Sequence, residues 1–178
     1  MIAILAAWVM THPPIPAYQS LPLEDLSYAI NAHAERKYKA LPPGVSYELA
    51  REFDAVGRLA DVDPLFIAGL TYTESRWSGG ALGDGGASVG LYQMVASSVR
   101  SVLPRLSRKQ ARKALADPLQ RVLCAGYYWR RVIRRYGRTR AAVVFNCGPV
   151  RCKKLKHTRV TRGYFRNYKQ IRGGLKGE

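Results

Sequence analysis

The chain has 178 residues, of which 47% are hydrophobic and 23% charged. That is enough for one folded domain with a real core, and it excludes a disordered chain or one that needs disulfides or zinc to fold. The charge is lopsided: 29 Lys and Arg stand against 12 Asp and Glu, with residues 1–99 at net −4 and residues 100–178 at net +21. Such a half is drawn to polyanions, whether nucleic acid, anionic lipid or bacterial envelope, and charge alone does not choose among them.

No apolar run reaches the roughly 18 residues of a transmembrane helix. Met1–Met10 is apolar and is followed by Pro13, Pro14 and Pro16. It reads either as a short secretory signal cleaved after Ala17 or as an apolar arm packed on the domain. It lacks the Lys or Arg that usually precedes a signal's apolar run. Residues 1–22 are set apart as this leader, and 23–178 as a single domain with a basic C-terminal half.

A helix is predicted from Leu23 to about Lys39, broken by Leu41-Pro42-Pro43-Gly44. Ser46 is expected to cap a second helix, with Leu49, Phe53, Val56 and Leu59 at helical spacing. Asp63-Pro64 is an N-cap acid followed by proline at the first helical position, so a helix is expected from Leu65 to about Arg76. Ser78–Ser88 holds five glycines and must be a loop. Val89 to about Val102 is predicted as helix, with Ser88 as its cap. Asp117-Pro118 repeats the capped start, and Leu119–Tyr136 gives a long helix ending at Gly137. Its buried face is expected to be Val122, Leu123, Gly126, Trp129 and Ile133. Thr139 is expected to cap a shorter helix through Phe145 that stops at Gly148-Pro149, and His157–Ile171 is the last helix. No segment shows strand alternation and there is no internal repeat. The fold class is all-α.

Three cysteines cannot all pair with one another. Cys147 and Cys152 are near enough in sequence for a small disulfide loop, which leaves Cys124 over; three reduced thiols are the alternative. A zinc site from Cys147, Cys152 and His157 lacks the familiar Cys-x-x-Cys pairs, so neither metal nor cofactor is expected.

The informative residue is Glu74. Phe66, Leu70 and Glu74 lie four apart on one helix and share a face. Glu74 thus continues an apolar stripe to the point where the glycine-rich loop opens. A carboxyl there is partly desolvated, which raises its pKa and suits it to general acid work. The bland alternative is a solvated Glu paired with Arg76 or Arg100.

Three ordered segments decide between these: Thr73-Glu74-Ser75-Arg76-Trp77, Gly90-Leu91-Tyr92-Gln93-Met94 and Val144-Phe145-Asn146-Cys147-Gly148. Together they resemble the E-S, G-L-M-Q and A-Y-N-A-G motifs of the lytic transglycosylase and goose-type lysozyme families. Arg162-Gly163-Tyr164-Phe165 resembles the terminal tyrosine segment of the same families. The resemblance covers roughly residues 48–170. It implies a lysozyme-like helical fold, of the type found in the SLT domain, that cleaves the β-1,4 bond between N-acetylmuramic acid and N-acetylglucosamine in peptidoglycan. It makes Glu74 the catalytic acid. Gln93 and Asn146 would bind acetamido groups or the sugar ring, Ser75 and Tyr92 would contact substrate, and Tyr164 would close the cleft beside Glu74. Core packing is the alternative for Tyr92 and Tyr164, and for Phe145 it is the better reading.

The departures are Tyr92 for the usual Met, Phe145 for the usual Tyr, and Cys147 for a small residue. The loop also supplies Asp84, ten residues after Glu74. In an inverting hydrolase a second carboxylate about 6.5–9.5 Å from the acid activates water. Asp84 is the candidate for that role, and its alternative is a turn residue that tolerates left-handed backbone.

Two rival readings rest on other features. The basic half, with Tyr127, Tyr128, Trp129, Tyr136, Tyr164 and Tyr168 among its arginines, could bind nucleic acid, although no nucleic-acid motif is present. A catalytically dead wall-binding module would have no need of a half-buried Glu. The partners expected are therefore peptidoglycan glycan strands and anionic envelope polymers, with no specific nucleic acid, for a monomer in the periplasm or cell envelope, or a phage lysis or virion protein.

Overall fold

In the computed structural model the described residues are 15–37, 40–151 and 159–176. Their helices are α1 (Leu23–Lys37), α2 (Val45–Ala60), α3 (Pro64–Ser75), α4 (Ala96–Val102), α5 (Arg108–Ala116), α6 (Pro118–Tyr136), α7 (Arg138–Arg151) and α8 (Arg159–Gly173). Three two-residue strands, β1 (Leu82–Gly83), β2 (Ser88–Val89) and β3 (Met94–Val95), form a small antiparallel sheet in the order β1-β2-β3. Leu82 pairs with Val89, and Ser88 with Val95. The fold is all-α and lysozyme-like, with this sheet as its one departure among the described residues.

Helix α3 is the axis of the molecule. Asp63 caps it by accepting from Leu65 N at 2.9 Å, and Pro64 fills the first helical position. Ten of its twelve residues are buried, so it has no solvent face. Leu65, Phe66, Ile67 and Leu70 are each at most 1% exposed, and each such side chain contributes roughly 1.5–3 kcal/mol of burial. Phe66 gathers an aromatic cluster: its ring centroid lies 6.3 Å from Trp129, 5.1 Å from Phe165 and 6.0 Å from Tyr168. Phe145 stacks on Trp129 at 4.5 Å and 11°, as its expected core role requires. The most extensive helix pairing is α3 against α8. There Gly69 lets the backbones meet, since a Cβ on it would lie 2.5 Å from Tyr168 N.

The arm ahead of α1, assigned by sequence to the leader, packs on the domain from Ile15 onward. Ile15 is buried, the Pro16 carbonyl accepts from Asp63 N at 3.1 Å, and Tyr18 OH donates to Asp54 at 2.9 Å. Residues 1–14 lie outside the described residues.

Several boundaries differ from expectation, each for a local reason. Helix α2 is capped by Gly44 in the left-handed region (φ 83°), not by Ser46, whose hydroxyl accepts from Ser27 instead. Val89 does not begin a helix and Ser88 caps none. Gly90 and Gln93 both take positive φ, and Gln93 N donates to Gly90 O at 3.1 Å. That turn folds 88–95 into a hairpin and delays the helix to Ala96. Helix α5 went unpredicted, although Ser107 and Gln110 form a reciprocal capping box at its start. The buried face of α6 is Cys124, Ala125, Gly126, Tyr128, Trp129 and Val132. Leu123 is 46% exposed, so the expected face was rotated by about one residue's 100°. Gly137, not Thr139, starts α7, because its carbonyl accepts from Arg140 and Ala141. That helix runs on through Gly148-Pro149 to Arg151; a proline removes one hydrogen bond and here does not end the helix.

Cys124 is a buried free thiol. The pairing of Cys147 with Cys152 and the zinc alternative with His157 fall outside the described side chains. Among the described residues no helix is long and apolar enough to cross a membrane.

Candidate active site

Glu74 sits in the last turn of α3. Arg76 (φ 55°) and Trp77 (φ 62°) then turn the chain sharply out of the helix. Two left-handed residues in succession are costly outside glycine, and buried contacts hold them. Trp77 folds back and its Nε1 donates to Ala68 O at 3.0 Å. Ser75, also buried, donates to Thr71 O at 3.1 Å and to Leu91 O at 2.8 Å. The second of these bonds ties the helix end to the Gly90–Met94 segment.

The Glu74 carboxyl is half-buried and its Oε1 accepts a hydrogen bond from the Tyr164 hydroxyl. Tyr164, on α8, is fully buried. Asn146, on α7, donates from Nδ2 to Tyr164 OH at 3.5 Å. Three helices thus place one carboxyl, one phenol and one amide in a row. Burial pushes the Glu74 pKa above its ordinary value; the Tyr164 bond opposes this, and the negative charge of Asp84 adds to the rise. Burial and the adjacent Glu74 hold the Tyr164 phenol well above its usual pKa, so it stays a neutral donor. The result is an acid that keeps its proton further toward neutral pH than a solvated Glu does.

The remaining expected residues lie nearby, but not all face substrate. Asp84 is exposed at the start of the Asp84–Gly86 turn, at φ 50°, and accepts from Ser88 Oγ at 2.5 Å. It is a turn residue whose charge nevertheless reaches Glu74. Gln93 spends its amide donors inside the loop, on Ala81 O at 3.0 Å and Gly90 O at 2.9 Å. Its Oε1 would lie 2.3 Å from any Cβ at Gly83, so a larger residue there would displace the Gln93 amide. Two expectations need correction. Tyr92 is 1% exposed and has no face to offer a sugar; its ring packs inside, with the Glu52 and Arg121 charges near its hydroxyl. Ser75 has its hydroxyl committed to two carbonyls and braces the site rather than contacting substrate. In both cases the segment that resembles a binding motif builds the loop's support.

Three residues of the site were missed by sequence reasoning. Asn167 Nδ2 donates to Thr73 Oγ1 at 2.9 Å, locking α8 to α3 one residue before Glu74. The signal was present, since Asn167 lies three residues after Tyr164 and so shares its helix face. The ion pair of Arg121 with Glu52, at 2.8 and 2.5 Å beneath Tyr92, left no such trace, because its partners are 69 residues apart.

The family model for the transglycosylase SLT domain matches residues 53–166, from the middle of α2 to the middle of α8. The chain belongs to the transglycosylase SLT domain family. No curated protein and no solved structure matches it. The matched span contains Glu74, the loop, Asn146 and Tyr164. Family membership gives this domain a transglycosylase-type action on peptidoglycan.

Proposed function

We propose that the protein is a lytic transglycosylase that cuts the MurNAc-β-1,4-GlcNAc bond with Glu74 as its one catalytic carboxyl. The observation that carries this reading is the half-buried Glu74 at the end of a helix with no solvent face, its carboxyl held by a neutral tyrosine. Protonated Glu74 gives its proton to the glycosidic oxygen as the bond to the muramic C1 breaks. The substrate's own N-acetyl group assists the developing positive charge. Glu74, now a carboxylate, takes the proton of the muramic C6 hydroxyl as that oxygen bonds to C1, which closes a 1,6-anhydro ring and returns the enzyme to its starting state. No water, metal or cofactor enters. Asn146 and Tyr164 orient the carboxyl and line the sugar site, and Gln93 shapes the loop above it. The enzyme works as a monomer in the periplasm or cell envelope, where its substrate is, and its basic half holds it to anionic wall polymers.

A second reading rests on one observation, the action of the Asp84 charge on Glu74. In that reading Asp84 activates water and the products are hydrated.

Purified peptidoglycan digested with the protein and with Glu74→Gln, with the soluble fragments read by mass spectrometry, separates these outcomes. Anhydro-muramic ends that vanish in the variant are the expected result, with a loss of about 10²–10⁴-fold in rate, the range for removing a general acid. Hydrated reducing ends overturn the anhydro mechanism in favour of Asp84. No fragments from the unmodified protein sink the enzymatic reading altogether.

A further inference from the structure

A concavity lies against the glycine-rich turn. It holds about 240 Å³, and its wall includes Ala87, Val95, Ser97, Arg100, Arg108 and Arg112. Three guanidinium groups converge on it from α4 and α5, and no acid lines it. From residue 100 to residue 116 the chain carries six Lys and Arg and no Asp or Glu. The ion pairs among the described residues engage Arg58, Arg121, Arg138 and Arg172, none of which belongs to this group. Arg100 donates Nε to Leu106 O at 3.0 Å, and Arg112 donates one Nη2 proton to Gly86 O at 2.7 Å. A guanidinium has five N–H donors, so each of these two arginines keeps donors for a ligand. The three arginines are exposed, and an anion entering the hollow would relieve what repulsion water leaves among them.

The pocket's place tells which anion. The turn that brings the Asp84 charge to bear on Glu74 also supplies Ala87 to the pocket wall and the Gly86 carbonyl to Arg112. The glycan strand cut at Glu74 bears short peptides on its muramic sugars, and those peptides carry free carboxylates. A carboxylate two residues along such a peptide stands roughly 7 Å from its branch point. Arginine is the side chain best matched to a carboxylate, by paired N–H···O bonds.

We propose that the Arg100–Arg108–Arg112 pocket binds a carboxylate of the stem peptide, so that the enzyme favours peptide-bearing strands over bare glycan. The proposal deepens the cell-wall reading above and rests on it for the choice of ligand.

The test compares turnover of peptide-bearing glycan strands with that of strands stripped of peptide by an amidase. It uses the wild type, the double variant Arg100→Gln/Arg108→Gln, and Arg134→Gln. Arg112 is kept because it holds the turn. Arg134 lines a different hollow along α6, so its variant controls for the loss of a surface arginine outside the pocket. The wild type should prefer peptide-bearing strands by about tenfold in kcat/KM, the scale of one charge-assisted pair. The double variant should lose that preference through KM while its rate on stripped strands stays the same, and Arg134→Gln should keep it. No preference in the wild type, or an equal loss on both substrates in the double variant, overturns the pocket. Chemical-shift titration of the Glu74→Gln protein with a soluble stem tripeptide keeps the two readings apart. Tripeptide binding confined to α4 and α5 and lost in the arginine variant supports the pocket even if no strand is ever cut. Absence of tripeptide binding overturns it whatever the turnover shows.

Discussion

Two helices of this protein start from the same dipeptide, Asp63-Pro64 in α3 and Asp117-Pro118 in α6, and put it to different use. The half-buried Asp117 carboxylate accepts from Leu119 N and Gln120 N at 3.0 and 2.9 Å, and its charge acts on Arg121. Asp63 is fully buried; beyond capping Leu65 N it accepts from Tyr168 OH at 3.1 Å and from Arg172 Nη1 at 2.9 Å. The helices that follow diverge in the same way. Helix α6 buries one face and shows Arg130, Arg131, Arg134 and Arg135 on the other, where their charge acts at long range through water. Helix α3 is enclosed, and its single carboxyl past the cap is Glu74. The same local signal starts both helices. Burial decides whether a charge on them serves attraction or chemistry.

The sharpest way to break this comparison is to remove the two caps. Asp63→Ala deletes the cap and strands Arg172 and Tyr168 against a buried gap, and should cost about 3 kcal/mol, with Arg172's partial exposure lowering the figure for a fully buried pair. Asp117→Ala should cost about 1 kcal/mol. Urea midpoints at constant m-value measure both, and equal losses would mean that enclosure adds nothing.

The two helix glycines give a second, smaller contrast. A Cβ at Gly69 would meet Tyr168 N at 2.5 Å and the Tyr164 carbonyl at 3.0 Å, both backbone, whereas at Gly126 the nearest atoms belong to the Leu59 side chain, with its Cβ at 2.7 Å. Gly69→Ala should cost about 2 kcal/mol by forcing α8 off α3. Because it also shifts Tyr164, it should lower activity in a preparation that is still folded by circular dichroism. Gly126→Ala should cost about 1 kcal/mol, since the Leu59 Cβ it meets is fixed to α2 and must move, while roughly 1 kcal/mol of helix propensity offsets part of that strain.

The stability of Glu74 itself gives the third test. Its folded pKa is raised above the ordinary 4.5, so the native state binds the proton more tightly than the unfolded chain does. Its contribution to stability is full below the ordinary carboxylate value and is lost as pH rises through the folded pKa. Glu74→Gln removes that loss. The variant should melt higher than the wild type at neutral pH, and the gap should close toward the ordinary carboxylate pKa. A gap that stays constant with pH would place Glu74 in water.

What the sequence made legible follows the same divide. The Asp-Pro starts and the Phe66-Leu70-Glu74 face are local patterns, and each lies where periodicity and cap chemistry put it. The hairpin at 82–95 was missed because strands of two residues carry no alternation. Positive-φ residues bend the chain there twice, at Asp84, Gly85 and Gly86 between β1 and β2 and at Gly90 and Gln93 between β2 and β3. The role of Tyr92 was misread because a motif preserves order along the chain and says nothing of which way a ring points. That its ring turns inward, toward the Glu52 and Arg121 charges, is settled by a pairing across 69 residues. Tyr164 could be placed near Glu74 by resemblance alone; that its hydroxyl donates to Glu74 required the close contact of α8 with α3 at Gly69, which no single helix pattern encodes.

The finest test concerns the two groups that act on Glu74 in opposite senses. A general acid works while protonated, so activity is lost as pH rises through its pKa, and the basic limb of kcat/KM reports that value in the free enzyme. The Tyr164 hydroxyl stabilises the carboxylate and pulls the pKa down, while the Asp84 charge repels the carboxylate and pushes it up. Tyr164→Phe should therefore move the basic limb to higher pH, and Asp84→Asn should move it to lower pH. Asparagine tolerates the left-handed backbone at position 84 and can still accept from Ser88, so the turn survives the change. Opposite shifts, with turnover retained in Asp84→Asn, leave Glu74 as the single carboxyl of the reaction and Asp84 as a charge that tunes it. If Asp84→Asn instead abolishes turnover at every pH, the exposed turn of the loop holds a working carboxylate too, and the division between an enclosed chemical helix and a charged outer surface fails at the place where it matters most.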